Sequence, residues 1–353
     1  MPAAPHDAAL DALMMPFKTG QIDWSGPVLF LRARVGAVLP GLGADGLVVT
    51  QPFFPEAQRL QRLGLTWQDE DALPAAAFAR VLVLPPRQRE EARALLARAC
   101  QAVAADGVVV CAAANDEGGR AREADLQRLA GAIQSIGKHH CRVCWTVPGA
   151  RFDPGLLSDW VQADAPRQVE SPAVPGGAFL TRPGVFAWDR VDPASALLAQ
   201  ALPTGLSGRV ADFGAGWGYL ALQVLARCSG VTTLELFEAD ARALALAERN
   251  LAAAARARGV TVHTHWHDVT AGVAAGFDAI VCNPPFHALG RGERPEIGRA
   301  FIRAAAQALR QGGELWLVAN RHLPYEEALG QGFGQVRCLL QQDGYKVVQA
   351  VKA

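Results

Sequence analysis

Tyrosine and methionine are scarce in this chain, three of each in 353 residues, and lysine is scarcer than its basic content suggests: four lysines accompany thirty arginines. An arginine-rich basic set suits phosphate and guanine contacts, though a codon bias in so alanine-rich a chain explains it as well. Excess charge is absent, with 34 basic and 34 acidic residues. That excludes a global electrostatic attraction to nucleic acid, so any such contact rests on a local patch. No apolar run approaches the length of a membrane span, and the start, MPAAPHDAALDALMM, lacks the basic region and apolar stretch of a signal peptide. A cytoplasmic protein without a membrane segment is expected. Seven scattered cysteines do not make the dense framework of a secreted scaffold. One pair, Cys141 and Cys144, has C-x-x-C spacing beside two histidines. Without a second such pair, and within an alternating strand-like run, it reads as structural, and no metal site is expected.

What is present is apolar surface, half of all residues, in a chain long enough for two domains. Residues 166–182, with their prolines and glycines, read as a linker between a domain at 1–165 and another at 183–353. In the second, strand and helix patterns alternate: GRVADFG, a helix over 219–227, TTLELFE, a helix over 239–259, VTVHTHW, DAIVCN, a helix over 296–313, then ELWLVAN. Such alternation predicts a parallel, doubly wound α/β sheet. The tail, VRCLLQQDGYKVVQAVKA, reads as a hairpin turned by Asp343-Gly344, adding an antiparallel strand.

The first strand of that domain ends in VADFGAGWGYLA, in which Asp212, Gly214, Gly216 and Gly218 form D-x-G-x-G-x-G. Glycines in a strand-to-helix turn let the backbone approach a ligand. The third glycine falls one position early for a dinucleotide fingerprint, and Tyr219 is too bulky for it. The pattern resembles the S-adenosylmethionine loop of methyltransferases. That resemblance implies Glu238, ending the second strand, on the ribose hydroxyls and Asp268, after the third, on the adenine amine. Taken singly, each acid could equally be a helix cap.

The fourth strand ends in Asn283-Pro284-Pro285-Phe286, two prolines where no ladder can continue. The motif resembles the (N/D)-P-P-(Y/F) signature of methyltransferases that act on a planar, amide-like or exocyclic nitrogen. The lone pair of such an amine is delocalised into the ring. An Asn283 side-chain oxygen and the Pro284 carbonyl, held by the prolines, would accept its two hydrogens and turn the lone pair toward the methyl donor. Phe286 would stack on the base of a nucleotide swung out of its helix. Asn283 thus belongs to both the catalytic and the cofactor sets. His287 could take the released proton or shape the loop. Arg291, Arg294, Arg299, Arg303 and Arg310 could form an RNA-backbone patch or a solvated face.

The first half aligns with the second. TWQDEDALPAAAFARVLVLPP runs beside THWHDVTAGVAAGFDAIVCNPP, with 17 residues from Asp69 to Pro86 and from Asp268 to Pro285. Leu84 stands where Asn283 does, and in VLFLRARVG residues Arg32 and Arg34 replace Gly214 and Gly216. A duplicated fold follows, two tandem class I methyltransferase-like domains, the first degenerate and retained for support or substrate docking.

The tandem copies, GVFAWDRVD, NPPFH and GGELWLVANRHLPYEEAL together resemble the bacterial rRNA guanine-N2 methyltransferases, the small-subunit branch in GVF and LPY and the large-subunit branch in NRHL. The resemblance implies transfer of a methyl group from S-adenosylmethionine to the N2 amine of a guanosine in 16S rRNA. It implies as partner the RNA itself or an assembling small subunit, with the protein a monomer. Alternatives are the same reaction on 23S rRNA, methylation of a protein glutamine, and a non-catalytic RNA-binding assembly protein.

Overall fold

Phe277–Cys282 is apolar at five of six positions, and its side chains enter two different cores. Ala279 and Val281 join the cluster of Val210, Leu198, Leu220 and Leu246, whereas Ile280 and Cys282 join Phe213, Phe301 and Ile302 on the opposite face. A strand with both faces covered is what a parallel sheet between helix layers requires. Each fully buried Phe or Ile there stabilises by about 1.5 to 3 kcal/mol.

The computed structural model describes residues 7–36, 46–285 and 295–353. The chain divides into two units, Met1–Ala165 and Pro166–Ala353. In the first, strands β1 (Val28–Leu31), β2 (Leu47–Val49), β3 (Thr66–Trp67), β4 (Phe78–Val83), β5 (Val103–Ala114), β6 (Ile133–Lys138) and β7 (Cys141–Thr146) lie in the order β3-β2-β1-β4-β5-β7-β6. Its helices are α1 (Ala8–Leu13), α2 (Met15–Lys18), α3 (Phe54–Arg62), α4 (Arg89–Ala102), α5 (Gly119–Ala130) and α6 (Pro154–Ala163).

The second unit starts with a hairpin, β8 (Arg167–Glu170) and β9 (Ala178–Thr181), and continues with β10 (Ser207–Phe213), β11 (Gly230–Glu238), β12 (Thr261–Trp266), β13 (Phe277–Cys282), β14 (Leu309–Asn320), β15 (Gln335–Gln342) and β16 (Tyr345–Val351). Helices α7 (Pro193–Ala201), α8 (Tyr219–Arg227), α9 (Ala241–Arg258), α10 (Pro295–Ala308) and α11 (Glu326–Gly332) cover it. Its large sheet has the order β12-β11-β10-β13-β14-β16-β15, the first unit's order repeated strand for strand. All pairings are parallel except those of β16, which is antiparallel to both neighbours. Asp343 and Gly344 turn into β16 at φ 50° and 84°, the left-handed pair of a tight hairpin.

Two expectations change, and the structural reading of one cysteine pair stands. Residues 166–182 are not an unstructured linker: the Asn250 side chain of α9 accepts from Leu180 N (2.7 Å) and donates to Leu180 O (3.0 Å), acting as a strand partner that holds the hairpin to the second unit. The helix expected to run to 313 ends at Ala308, because Leu309 already pairs with Phe277 in the sheet. Cys141 and Cys144 are three residues apart on a strand and so face opposite ways, Cys141 into the core beside Val143 and Cys144 into the core beside Cys111. They cannot converge on one ion. Among the described residues, no helix is long and apolar enough to cross a membrane.

Candidate active site

The sheet order reverses between β10 and β13, and the crevice beyond their C-terminal ends is where open α/β sheets bind ligands. Phe213 and Cys282 are paired as the last residues of the two strands, so the glycine turn and the Asn283 corner emerge side by side. Gly214, Gly216 and Gly218 have φ of 75°, 56° and 93°, a region costly for residues with a Cβ. Their surroundings differ. A Cβ on Gly216 would meet nothing within 4 Å and one on Gly214 only ordinary contacts, whereas one on Gly218 would stand 2.5 Å from Leu251 and 3.3 Å from the Ala247 backbone. Gly216 borders open space and Gly214 lies at contact distance from Phe301 and the Asn283 backbone; Gly218 lets α9 pack against the loop.

The acids behind the loop are tied to backbone amides. Asp212 is fully buried; Oδ2 accepts from Ala221 N of α8 (3.0 Å) and Oδ1 has no donor. Burial, aided by the nearby Glu238 charge and opposed by that amide, pushes its pKa up to about 7. Glu238 accepts from Gly216 N (2.7 Å) through Oε2 and from Asp240 N (2.9 Å) through Oε1, and burial raises its pKa as well. It thus holds the loop's shape directly. Asp268 caps a short 3-10 turn, its Oδ1 accepting from the amide (2.9 Å) and hydroxyl (2.7 Å) of Thr270. The capping role open for each strand-end acid is therefore realised in Asp268.

At the corner Pro284 is buried and Pro285 exposed. Asn283 donates from Nδ2 to Asp192 Oδ2 (2.9 Å) and to Ser195 Oγ (2.8 Å), while its buried Oδ1 has no donor. Both amide hydrogens are spent, and the acceptor end is left open. Asn283, Asp192, Ser195, Gly214 and Gly216 line one cleft with Trp217 and Phe186. Phe186 is 61% exposed at this cleft, and Trp217 is fixed by stacking on Phe179 of the hairpin at 3.9 Å. Phe286, His287, Arg291 and Arg294 lie outside the described residues. Arg310 is committed to Asp278 at 2.5 Å.

Asp192, Ser195 and Phe186 were not singled out from the sequence. Asp192-Pro193 signals only a helix start, and nothing local shows that the cap reaches a residue 91 positions away.

In the first unit the equivalent crevice is filled. Arg32 follows β1 as Gly214 follows β10, retains a left-handed φ of 55°, and pairs with Glu70 (2.5 Å) and Glu91 (2.9 Å). Arg34 pairs with Asp7 at 3.1 Å. Leu84 lies buried at the end of β4.

Residues 176–349, within the second unit, match the family model of the methyltransferase small domain. A ribosomal RNA small subunit methyltransferase C of Hahella chejuensis is 34% identical over 213 residues, 60% of this chain and 59% of that protein. Its namesake from Shewanella sp. (strain MR-4) is 31% identical over 272 residues, 76% of each chain. Among solved structures, a T. thermophilus 16S rRNA N2 G1207 methyltransferase in complex with AdoMet and guanosine is 26% identical. It has a TM-score of 0.82 and covers 99% of this chain and 93% of its own.

Proposed function

The chain belongs to the ribosomal RNA small subunit methyltransferase C family, and from that premise we propose that its second unit methylates the N2 amine of a guanosine in 16S rRNA, the counterpart of the one named for the T. thermophilus enzyme. The observation that carries the residue assignment is the Asn283 amide, pinned at Nδ2 and without a donor at Oδ1, on a residue that lines a glycine-bordered cleft.

S-adenosylmethionine supplies a methyl group on a positively charged sulfur. Gly214 and Gly216 give it backbone access, and the unpartnered buried oxygen of Asp212 suits a cationic ligand. Glu238 and Asp268 serve the ribose and adenine with the lone pairs their amide contacts leave free. Asn283 Oδ1 accepts one hydrogen of the guanine amine and the Pro284 carbonyl the other, which aims the nitrogen lone pair at the methyl group. Phe186, and with it Phe286, offers a ring face to the base. The transfer would need no strong base from the protein, because the charge gained at nitrogen is offset by that lost at sulfur and the proton would leave afterwards to water. The protein works as a cytoplasmic monomer on free RNA or an assembling small subunit. The small-subunit assignment prevails over 23S rRNA and protein glutamine, since the relatives reported above are small-subunit enzymes.

Primer extension on 16S rRNA from a deletion strain tests this. Wild type restores a stop at one guanosine and Asn283→Ala does not. Full restoration by the variant would show that the amide has no part in the chemistry.

A further inference from the structure

We infer that Asp192 and Ser195 are positioning residues that set which end of the Asn283 amide faces the reacting amine. The two ends of an asparagine amide are nearly identical in size, so packing alone does not decide between them. Hydrogen bonding does. Asp192 Oδ2, as a carboxylate, can only accept; it sits 2.9 Å from Asn283 Nδ2 and takes the Ser195 amide at 2.8 Å as the N-cap of α7. Turning the amide over would set two acceptors against each other. Ser195 Oγ takes the second hydrogen at 2.8 Å. Buried Oδ1 is thereby left without a donor, on a residue that lines the cleft.

The first unit supplies an internal comparison. Asp7 caps α1 as Asp192 caps α7, accepting from Ala9 N and Leu10 N at 3.1 Å. There Leu10 holds the place of Ser195, Leu84 that of Asn283, and Arg34 has taken up the carboxylate. The cap persists without the amide, so the cap is structural; the serine and the amide occur together.

The inference rests on the catalytic reading of Asn283, and a double-mutant cycle on the full chain separates the two. Asp192→Asn keeps a good helix cap but ends the acceptor-only character, so the Asn283 amide can turn over. We expect kcat for methyl transfer to 16S rRNA to fall on the order of 10- to 100-fold, with S-adenosylmethionine affinity by calorimetry and the thermal midpoint close to wild type. Ser195→Ala is expected to lose less and Ser195→Thr to recover most of it. In an Asn283→Ala background, under single turnover, Asp192→Asn should cost nothing further. An unchanged kcat in Asp192→Asn, or an equal loss with and without Asn283, overturns the positioning role. If Asn283→Ala alone keeps the full rate, the catalytic reading of the amide fails, and the positioning role with it. Should Asp192→Asn not fold, the Ser195 variants complete the same cycle.

Discussion

Asp212 is the residue at which burial and chemistry conflict most openly. Its carboxyl, neutral up to about pH 7 in the fold, ionises near 3.9 in an unfolded chain. The folded state therefore holds the proton longer, and the stability this confers, complete below about pH 4, is lost as pH rises to about 7. Asp212→Asn retains the acceptor for Ala221 N but carries no charge. Its thermal midpoint relative to wild type should climb across that window and level off above it, followed by melts at closely spaced pH values. Glu238, shifted the same way, is common to both proteins. A flat difference would show that Asp212 is already ionised in the fold. The glycines and Asn283 were legible in the sequence because their backbone and donor-acceptor demands leave few substitutes. Ser195 was not, because its part is played through a contact 88 positions away.

At the scale of elements, α10 and α11 meet through Gly298. A Cβ there would lie 1.8 Å from Tyr325 Oη and 2.3 Å from the ring carbon bearing it, and Tyr325 is fully buried. Alanine ordinarily gains about 1 kcal/mol over glycine within a helix, but overpacking at this distance costs about 1 to 3 kcal/mol, so the clash wins. Gly298→Ala should lower the thermal midpoint. It should also weaken S-adenosylmethionine binding in calorimetry, since Phe301 of the same helix backs the Gly214 turn. A midpoint equal to wild type would show that the tyrosine moves freely. The strands of the large sheet and helices α8, α9 and α10 were readable from periodicity, whereas the short α7 and α11 were not. The hairpin at 167–181 was not: its proline and glycine content mimics a linker, and a distant side chain, Asn250, holds it in place.

For the whole molecule, two sheets of identical order carry one open crevice and one filled by charge. Calorimetric titration of the full chain with S-adenosylmethionine should saturate at one equivalent, and Arg32→Gly should not add a second. That variant should instead lose about 3 kcal/mol of stability in denaturant, because Glu70 and Glu91, 10% and 4% exposed, lose the guanidinium between them. A second equivalent in either protein would mean that the first crevice still binds. The duplication was visible in matched spacings. The plug was not, since Glu91 reaches Arg32 from outside the aligned motifs and Glu70, though inside one, stands 38 positions from the arginine it pairs with. Arg32 still holds the left-handed bend of Gly214, a posture an arginine would not adopt unaided. In a doubled protein, then, the outline of a binding turn can outlast its cargo like a mould after the cast is gone: ancestry is written in the path of the main chain after the side chains have stopped recording it.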